Sequence, residues 1–318
     1  MLQGKFLSSI SLIGIACAIA GCQPQTPVPS PPSPSPTIQA TPNKEETFVL
    51  GEISDEPTKK IQRFQPLANL LAANLEEFGI TQGNVKIVPD LESMIRAIDA
   101  GEIDLFFDSL YPAMIVSDRA QAEPILRRWK KGQAEYSTIF FTRNDNDIAS
   151  LSELKGKFVG LEEKISTSGY LLPIAYLLEA GLKPVEKKND TATVAANEVG
   201  YIFTRDDENT VQWVLSGKVI AGAVDSQTFA SIPEESRAKL NIIAETEKVP
   251  RQLVLIRSDI EEKEQEKITS LLENLDTTEE GKKVLEQLEK TKKFDKFPSE
   301  QSLEQMRTLY QKVQNQAQ

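Results

Sequence analysis

Lys157-Phe158-Val159-Gly160-Leu161, followed by Ser166-Thr167-Ser168-Gly169-Tyr170, decides how this chain is read. The first run is short and apolar, as a buried strand requires. The second is rich in hydroxyls and opens a helical stretch, residues 169–180, in which Pro173 falls in the early turns and Gly181 lies past the end. The first N–H groups of a helix have no carbonyl partner, and the helix dipole is positive at that end. Hydroxyls gathered there make a cradle for a small tetrahedral oxyanion.

The same design of strand end, polar turn and helix start recurs at residues 51–57, at Phe107-Asp108-Ser109-Leu110-Tyr111 and at Ala223-Val224-Asp225-Ser226. Between them, strands are expected at residues 48–53, 85–88, 103–107, 136–142, 157–161, 219–224 and 252–256. Helices are expected where Leu67, Leu70, Leu71 and Leu75 share a face, at 91–100 before Gly101, at 151–154, at 210–215, and past Asp259. In that last region Ile268, Leu271, Leu272 and Leu275, then Val284, Leu285 and Leu288, keep a helical spacing under a charged outer face. Strands alternating with helices predict an α/β architecture with largely parallel pairing. In such sheets ligands bind beyond the carboxyl ends of strands, where these turns converge. Asp108-Ser109 and Asp225-Ser226 also fit ordinary helix caps, whereas the Ser166–Ser168 run has more hydroxyls than one cap uses.

Composition narrows the function. The chain has 318 residues, 36 Lys+Arg against 47 Asp+Glu, no His and two Cys. A net charge of −11 argues against a nucleic-acid binder, which needs a basic face, but leaves room for a local anion site built from oriented dipoles. Without His, the commonest general base and metal ligand is missing, so no metal and no cofactor are expected. Glu52, Asp55 and Glu56 lie close together but carry no mark of a working acid–base pair.

Residues 1–21 read as a secretory signal, with Lys5 in the positive region and an apolar stretch from Phe6 to Ala20 too short for a good membrane span. It ends in Ile19-Ala20-Gly21-Cys22, the pattern of a bacterial lipobox with Cys22 as the lipid-bearing first residue. Cys17 would leave with the signal, so the exported chain keeps no pair of Cys for a disulfide. Residues 22–46 then form a tether rich in Pro, Ser and Thr. Its roughly twenty extended residues reach up to ~60 Å from a membrane.

Taken in order, these segments resemble the phosphonate-binding proteins of bacterial ABC transporters, within the wider phosphate, phosphite and phosphonate receptor group. The likeness runs over residues 49–310. It is carried by Asp108-Ser109-Leu110-Tyr111-Pro112, Gly132 with Tyr136-Ser137, Leu154-Lys155-Gly156-Lys157, and above all Ser166-Thr167-Ser168-Gly169-Tyr170-Leu171-Leu172-Pro173. Gly217-Lys218, Ala223-Val224-Asp225-Ser226, Thr278-Glu279-Glu280-Gly281 and Phe294-Asp295-Lys296-Phe297 extend it. The resemblance implies a two-lobed type 2 periplasmic binding protein fold that closes by a hinge. Residues 47–140 and 244–318 would form one lobe, and residues 141–243 the other.

By position, it implies that Ser166, Thr167 and Ser168 donate to the oxyanion, with Tyr111 donating from the facing lobe. Asp225 would accept from the ligand's other end, such as an amino group, and Tyr136 would either join the ligand-binding set or pack near the hinge. One departure stands out. Where the family has a His that contacts the anion, this chain has Phe203-Thr204-Arg205-Asp206-Asp207-Glu208-Asn209, which places Asp207 beside the site. Arg205 or Lys164 would then supply the positive charge, unless each is a solvated surface residue. The leading expectation is a lipid-anchored receptor that hands phosphonate, phosphite or phosphate to a permease and its ATPase. The alternative is a ligand-sensing or interaction lipoprotein with altered or lost anion specificity. An enzyme is disfavoured by the missing His and Cys.

Overall fold

The computed structural model describes residues 47–316. The signal segment, Cys22 and the tether lie outside them. The described chain builds two six-stranded sheets. The first holds β1 (Thr47–Ile53), β2 (Gln82–Val88), β3 (Leu105–Asp108), β4 (Ala122–Arg128), β13 (Gln252–Arg257) and β14 (Phe294–Asp295), in the order β14-β4-β13-β3-β1-β2. The second holds β6 (Thr138–Arg143), β7 (Phe158–Leu161), β8 (Pro184–Glu186), β9 (Val199–Phe203), β10 (Ala221–Asp225) and β11 (Leu240–Glu245), in the order β11-β6-β10-β7-β9-β8. A short antiparallel pair, β5 (Glu135–Tyr136) with β12 (Val249–Pro250), joins them.

The sheets are mixed rather than largely parallel. β1, β2 and β3 pair in parallel, as do β7, β8, β9 and β10. β13 and β6 run against their neighbours β3 and β10. The reason is topological. β6 and β13 are the strands by which the chain enters each sheet from the β5–β12 pair, so their first residues lie where the other strands end. Register shows it: Asp225 pairs with Thr138, and Asp108 with Leu253.

Helix α1 (Pro57–Ala73) starts with proline at its N-terminal turn and lays Phe64, Leu67 and Leu71 on the first sheet, all fully buried. Each such side chain contributes about 1.5–3 kcal/mol of burial. With Ile268 and Leu272 of α8 (Glu262–Glu273) and Leu285 of α9 (Glu279–Gln287) they form one core. Ile139, Phe141, Val211, Val214 and Phe229 form another, under the second sheet. A third cluster crosses between the lobes. It joins Tyr111 and Met114 of α3 (Leu110–Arg119) to Tyr170 and Leu172, and to Met306, Tyr310 and Val313 of α10 (Gln301–Gln316).

Other departures are local. The helix expected at 169–180 starts at Thr167 with one π-type turn, Thr167–Leu171, before α4 (Leu172–Glu179). The helix expected at 210–215 is α5 (Asp207–Leu215), because the Asp206 carboxylate accepts from Asn209 N at 2.6 Å and caps it earlier. Strands β4, β8, β9, β11, β12 and β14 were not expected.

Candidate functional site

The four strand–turn–helix segments meet. Glu52 and Ile53 at the end of β1, Asp108 at the end of β3 with Ser109 next to it, Ser166, Thr167 and Ser168 after β7, and Asp225 at the end of β10 all line one cleft of about 320 Å³. Lys130, just past β4, and Arg251 and Gln252, at the start of the reversed β13, line it too.

The hydroxyl turn is held from several sides. Ser166 Oγ accepts from Gly169 N at 2.9 Å and caps the helix. Thr167 Oγ1 accepts from Tyr111 N of the other lobe at 2.8 Å in a buried bond, and the buried Tyr136 phenol lies beside the same side chain. Thr138 Oγ1 donates to the Ser168 carbonyl at 2.8 Å. Gly169 is required by space: a Cβ there would stand 2.4 Å from Glu162 Cβ. The turn therefore presents its hydroxyls and the first N–H groups of the helix as a fixed set.

Around it the second lobe contributes carboxylates, and the first lobe contributes both signs of charge. Asp225 Oδ1 accepts from Gln227 N at 2.9 Å and its Oδ2 from Thr228 Oγ1 at 2.5 Å, so it caps α6 (Ser226–Ser231) while lining the cleft. Asp207 accepts from Thr228 Oγ1 at 3.1 Å through Oδ2, and its buried Oδ1 has no partner. Burial, aided by the nearby Glu162 and Asp225 carboxylates, pushes its pKa up to about 7. Burial raises Glu162 as well, against the opposing bond from Ser166.

On the first lobe, burial pushes Glu52 up to about 7 although Lys60 Nζ lies 2.7 Å away. Burial also lowers Lys130, whose Nζ lies 3.1 Å from Glu289. Fully buried Arg128 bonds Thr291 Oγ1 at 2.9 Å, Gln252 Oε1 at 2.7 Å and the Leu288 carbonyl at 2.9 Å, and so fixes the floor on which Lys130 and Gln252 sit.

Three residues expected at the site place their side chains elsewhere. Tyr111 sends its backbone N–H, not its phenol, toward the cradle. Because Ser109 is the N-cap of α3, Tyr111 N is one of the helix's unpaired first donors. Its ring turns the other way, 5.8 Å from Tyr170 and 6.0 Å from Tyr310, and its oxygen accepts from Gln314 Nε2 at 2.9 Å. Burial and the neighbouring tyrosines push this phenol up to about 12. Arg205 is exposed at a left-handed φ of 80° outside the cleft, as is the exposed Lys164.

The positive charge in the cleft comes instead from Arg251 and Lys130. Neither follows a strand–turn–helix signal, and Arg251 stands just before the strand expected at 252–256. Among the described residues no group of His, Cys, Asp and Glu is arranged to hold a metal ion, and no helix is long and apolar enough to cross a membrane.

Two mixed sheets, a short pair of connecting strands and a polar cleft between the sheets define a two-lobed type 2 periplasmic binding protein. The chain belongs to the family whose model is described as the ABC transporter, phosphonate, periplasmic substrate-binding protein, which matches residues 50–301. The phosphonates-binding periplasmic protein of Escherichia coli (strain K12) is 22% identical over 254 residues, 77% of this chain and 71% of that protein. XAC2383 of Xanthomonas citri, solved bound to chloride ion, is 26% identical with a TM-score of 0.78, over 86% of this chain and 99% of that one. The same protein has been solved bound to ATP, at 25% identity and a TM-score of 0.78, over 86% of this chain and 98% of that one. PhnD1 of Prochlorococcus marinus, in complex with methylphosphonate, shares the fold at 19% identity and a TM-score of 0.59, over 85% of this chain and 99% of that one. The family consists of extracytoplasmic substrate-binding components of transporters, not enzymes, and its members work with a small-molecule ligand, a permease and an ATPase.

Proposed function

We propose that this chain is a lipid-anchored receptor that captures a phosphorus oxyanion in the cleft and delivers it to an ABC permease. The observation that carries this reading is the meeting of the Ser166-Thr167-Ser168 turn with Asp225 in one cleft between the two sheets. The hydroxyls and first helix N–H groups hold the phosphoryl or phosphonyl oxygens. Asp225, with Glu162 and Asp207 beside it, takes a cationic end such as an ammonium group, so an aminoalkylphosphonate fits better than bare phosphate. The first sheet with its helices acts as one lobe and the second sheet, within residues 138–245, as the other, closing about the β5–β12 pair. Closure forms the Tyr111–Thr167 bond and displays the liganded form to the permease. Cys22 ties the body to the membrane through the Pro-rich tether.

Calorimetric titration of the purified, detergent-solubilised protein tests the reading. The panel is phosphate, phosphite, methylphosphonate, 2-aminoethylphosphonate, sulfate and nitrate, with ATP added because the Xanthomonas citri relative was solved with it. Saturable binding of a phosphorus anion without turnover, tightest for the aminoalkylphosphonate, supports the proposal. Silence across the panel from folded, ligand-free protein refutes it.

A further inference from the structure

The first lobe carries more positive charge beside the cleft than its own carboxylates can pair. Lys60, Arg63, Arg128 and Lys130 gather around the Glu289 carboxylate at 3.0, 3.8, 3.2 and 3.1 Å. Arg251 adds a further positive charge close enough to be felt by both Arg128 and Lys130. It forms no ion pair among the described residues. Its guanidinium centre lies 4.4 Å from the centroid of the Tyr136 ring, and its Nε is buried without a hydrogen-bond partner. A half-buried guanidinium with a buried, unused Nε donor, crowded by like charges and lining a cleft, is matched to an incoming anion.

Tyr136 fixes where that anion lies. Its ring carries the Arg251 guanidinium, and its hydroxyl lies beside the Thr167 side chain in the cleft lining. Arg251 and the hydroxyl turn therefore face one space from opposite lobes. We infer that Arg251 is the charged anchor of the ligand's anionic end, docking it from the first lobe against Ser166, Thr167 and Ser168 of the second. This rests on the proposed function and assigns its charge. Asp207 lines the second lobe's side of the cleft, so positive charge for an anion arrives from the opposite sheet. In the cleft Arg251 and Lys130 stand on the first lobe beside Glu52 and Asp108, while Glu162, Asp207 and Asp225 line the second lobe with no cation among them. An anion that bonds both lobes at once favours the closed form over the open one.

The other role open to Arg251 is structural, stacking on Tyr136 at the hinge. Titration with methylphosphonate, which has an anionic end and no cationic one, separates the two. Arg251→Gln and Arg251→Lys are compared with the unaltered protein at low and moderate salt, with thermal midpoints measured alongside. As an anchor, Arg251→Gln weakens binding about 10- to 100-fold, the scale of one or two lost charge-assisted bonds. Arg251→Lys recovers part of that loss, keeping the charge without the fork. The salt dependence of the unaltered protein flattens in the Gln variant. If Arg251→Gln does not fold, the Lys variant carries the test through its intermediate affinity. Methylphosphonate affinity within threefold of the unaltered protein in both variants overturns the inference. So does an equal loss in both, with a lowered midpoint and unchanged salt dependence. An unaltered protein that binds no phosphorus anion overturns the proposed function itself, and this inference with it.

Discussion

Thr167→Val removes one hydroxyl and keeps the shape of the side chain, which makes it a clean probe of the cleft. Thr167 Oγ1 accepts from Tyr111 N at 2.8 Å in a buried bond between the lobes. A buried N–H left without an acceptor costs about 1–3 kcal/mol. In the open form water reaches Tyr111 N, so the penalty falls on the closed form alone. Apparent affinity drops with the closed population, by a factor of roughly 5–150 for that range. Loss of the hydroxyl's own bond to the anion adds to this. Calorimetry should therefore show every ligand weakened by at least ~10-fold and by a similar factor, since closure is common to all. The thermal midpoint should move by only about 2–4 °C per kcal/mol. Affinities within threefold of the unaltered protein would refute the reasoning, because Thr167 would then neither join the lobes nor touch the ligand.

Gly169→Ala forces a methyl to 2.4 Å from Glu162 Cβ and 2.8 Å from Glu162 Oε2. We expect a loss of about 1–3 kcal/mol with weakened binding, and recovery of stability in the Gly169→Ala/Glu162→Gly pair; urea unfolding checks both. Asp207 and Glu289 should titrate against each other. Asp207 rises from 3.8 to about 7 through burial and then Glu162 and Asp225, so the folded chain holds an extra proton between those values and stability falls as pH rises through the window. Asp207→Asn is therefore stabilising at pH ~8 and close to neutral near pH ~3.5. Burial alone would raise Glu289, but Lys130, Arg128 and Lys60 outweigh it and hold it low. Its contribution is full above 4.5 and fades as pH falls, so Glu289→Gln costs most at neutral pH. Thermal midpoints across that range check both signs, and parallel curves would contradict them. Intact-mass spectrometry should find a chain beginning at acylated Cys22, and Cys22→Ser should abolish the acylation; an unmodified Cys22 would contradict the anchor.

The strand–turn–helix units could be read from sequence because each is local. A short apolar run, a polar cap and a helical spacing lie within a few residues of one another, and all four such turns do line the cleft. β4 was not legible, because its Arg127 and Arg128 are buried charges whose partners Asp295 and Glu289 lie far along the chain. β6 and β13 could be placed as strands, but their reversal follows from the path through the β5–β12 pair, which no local pattern encodes. The same limit hid Arg251: only the meeting of 249–250 with 135–136 sets it over Tyr136. Tyr111 shows the reverse case. The segment was placed correctly, but whether its phenol or its N–H faces the cleft depended on helix phase and on Tyr170, Tyr310 and Gln314 gathering behind it.

A crystal structure of the complex with 2-aminoethylphosphonate tests the central claim most directly. The account predicts the phosphonate oxygens within about 2.6–3.1 Å of the Ser166, Thr167 and Ser168 donors, and the ammonium group on the side of Asp225 and Asp207. A phosphonate seated away from the hydroxyl turn, or outside the interlobe cleft, would contradict it.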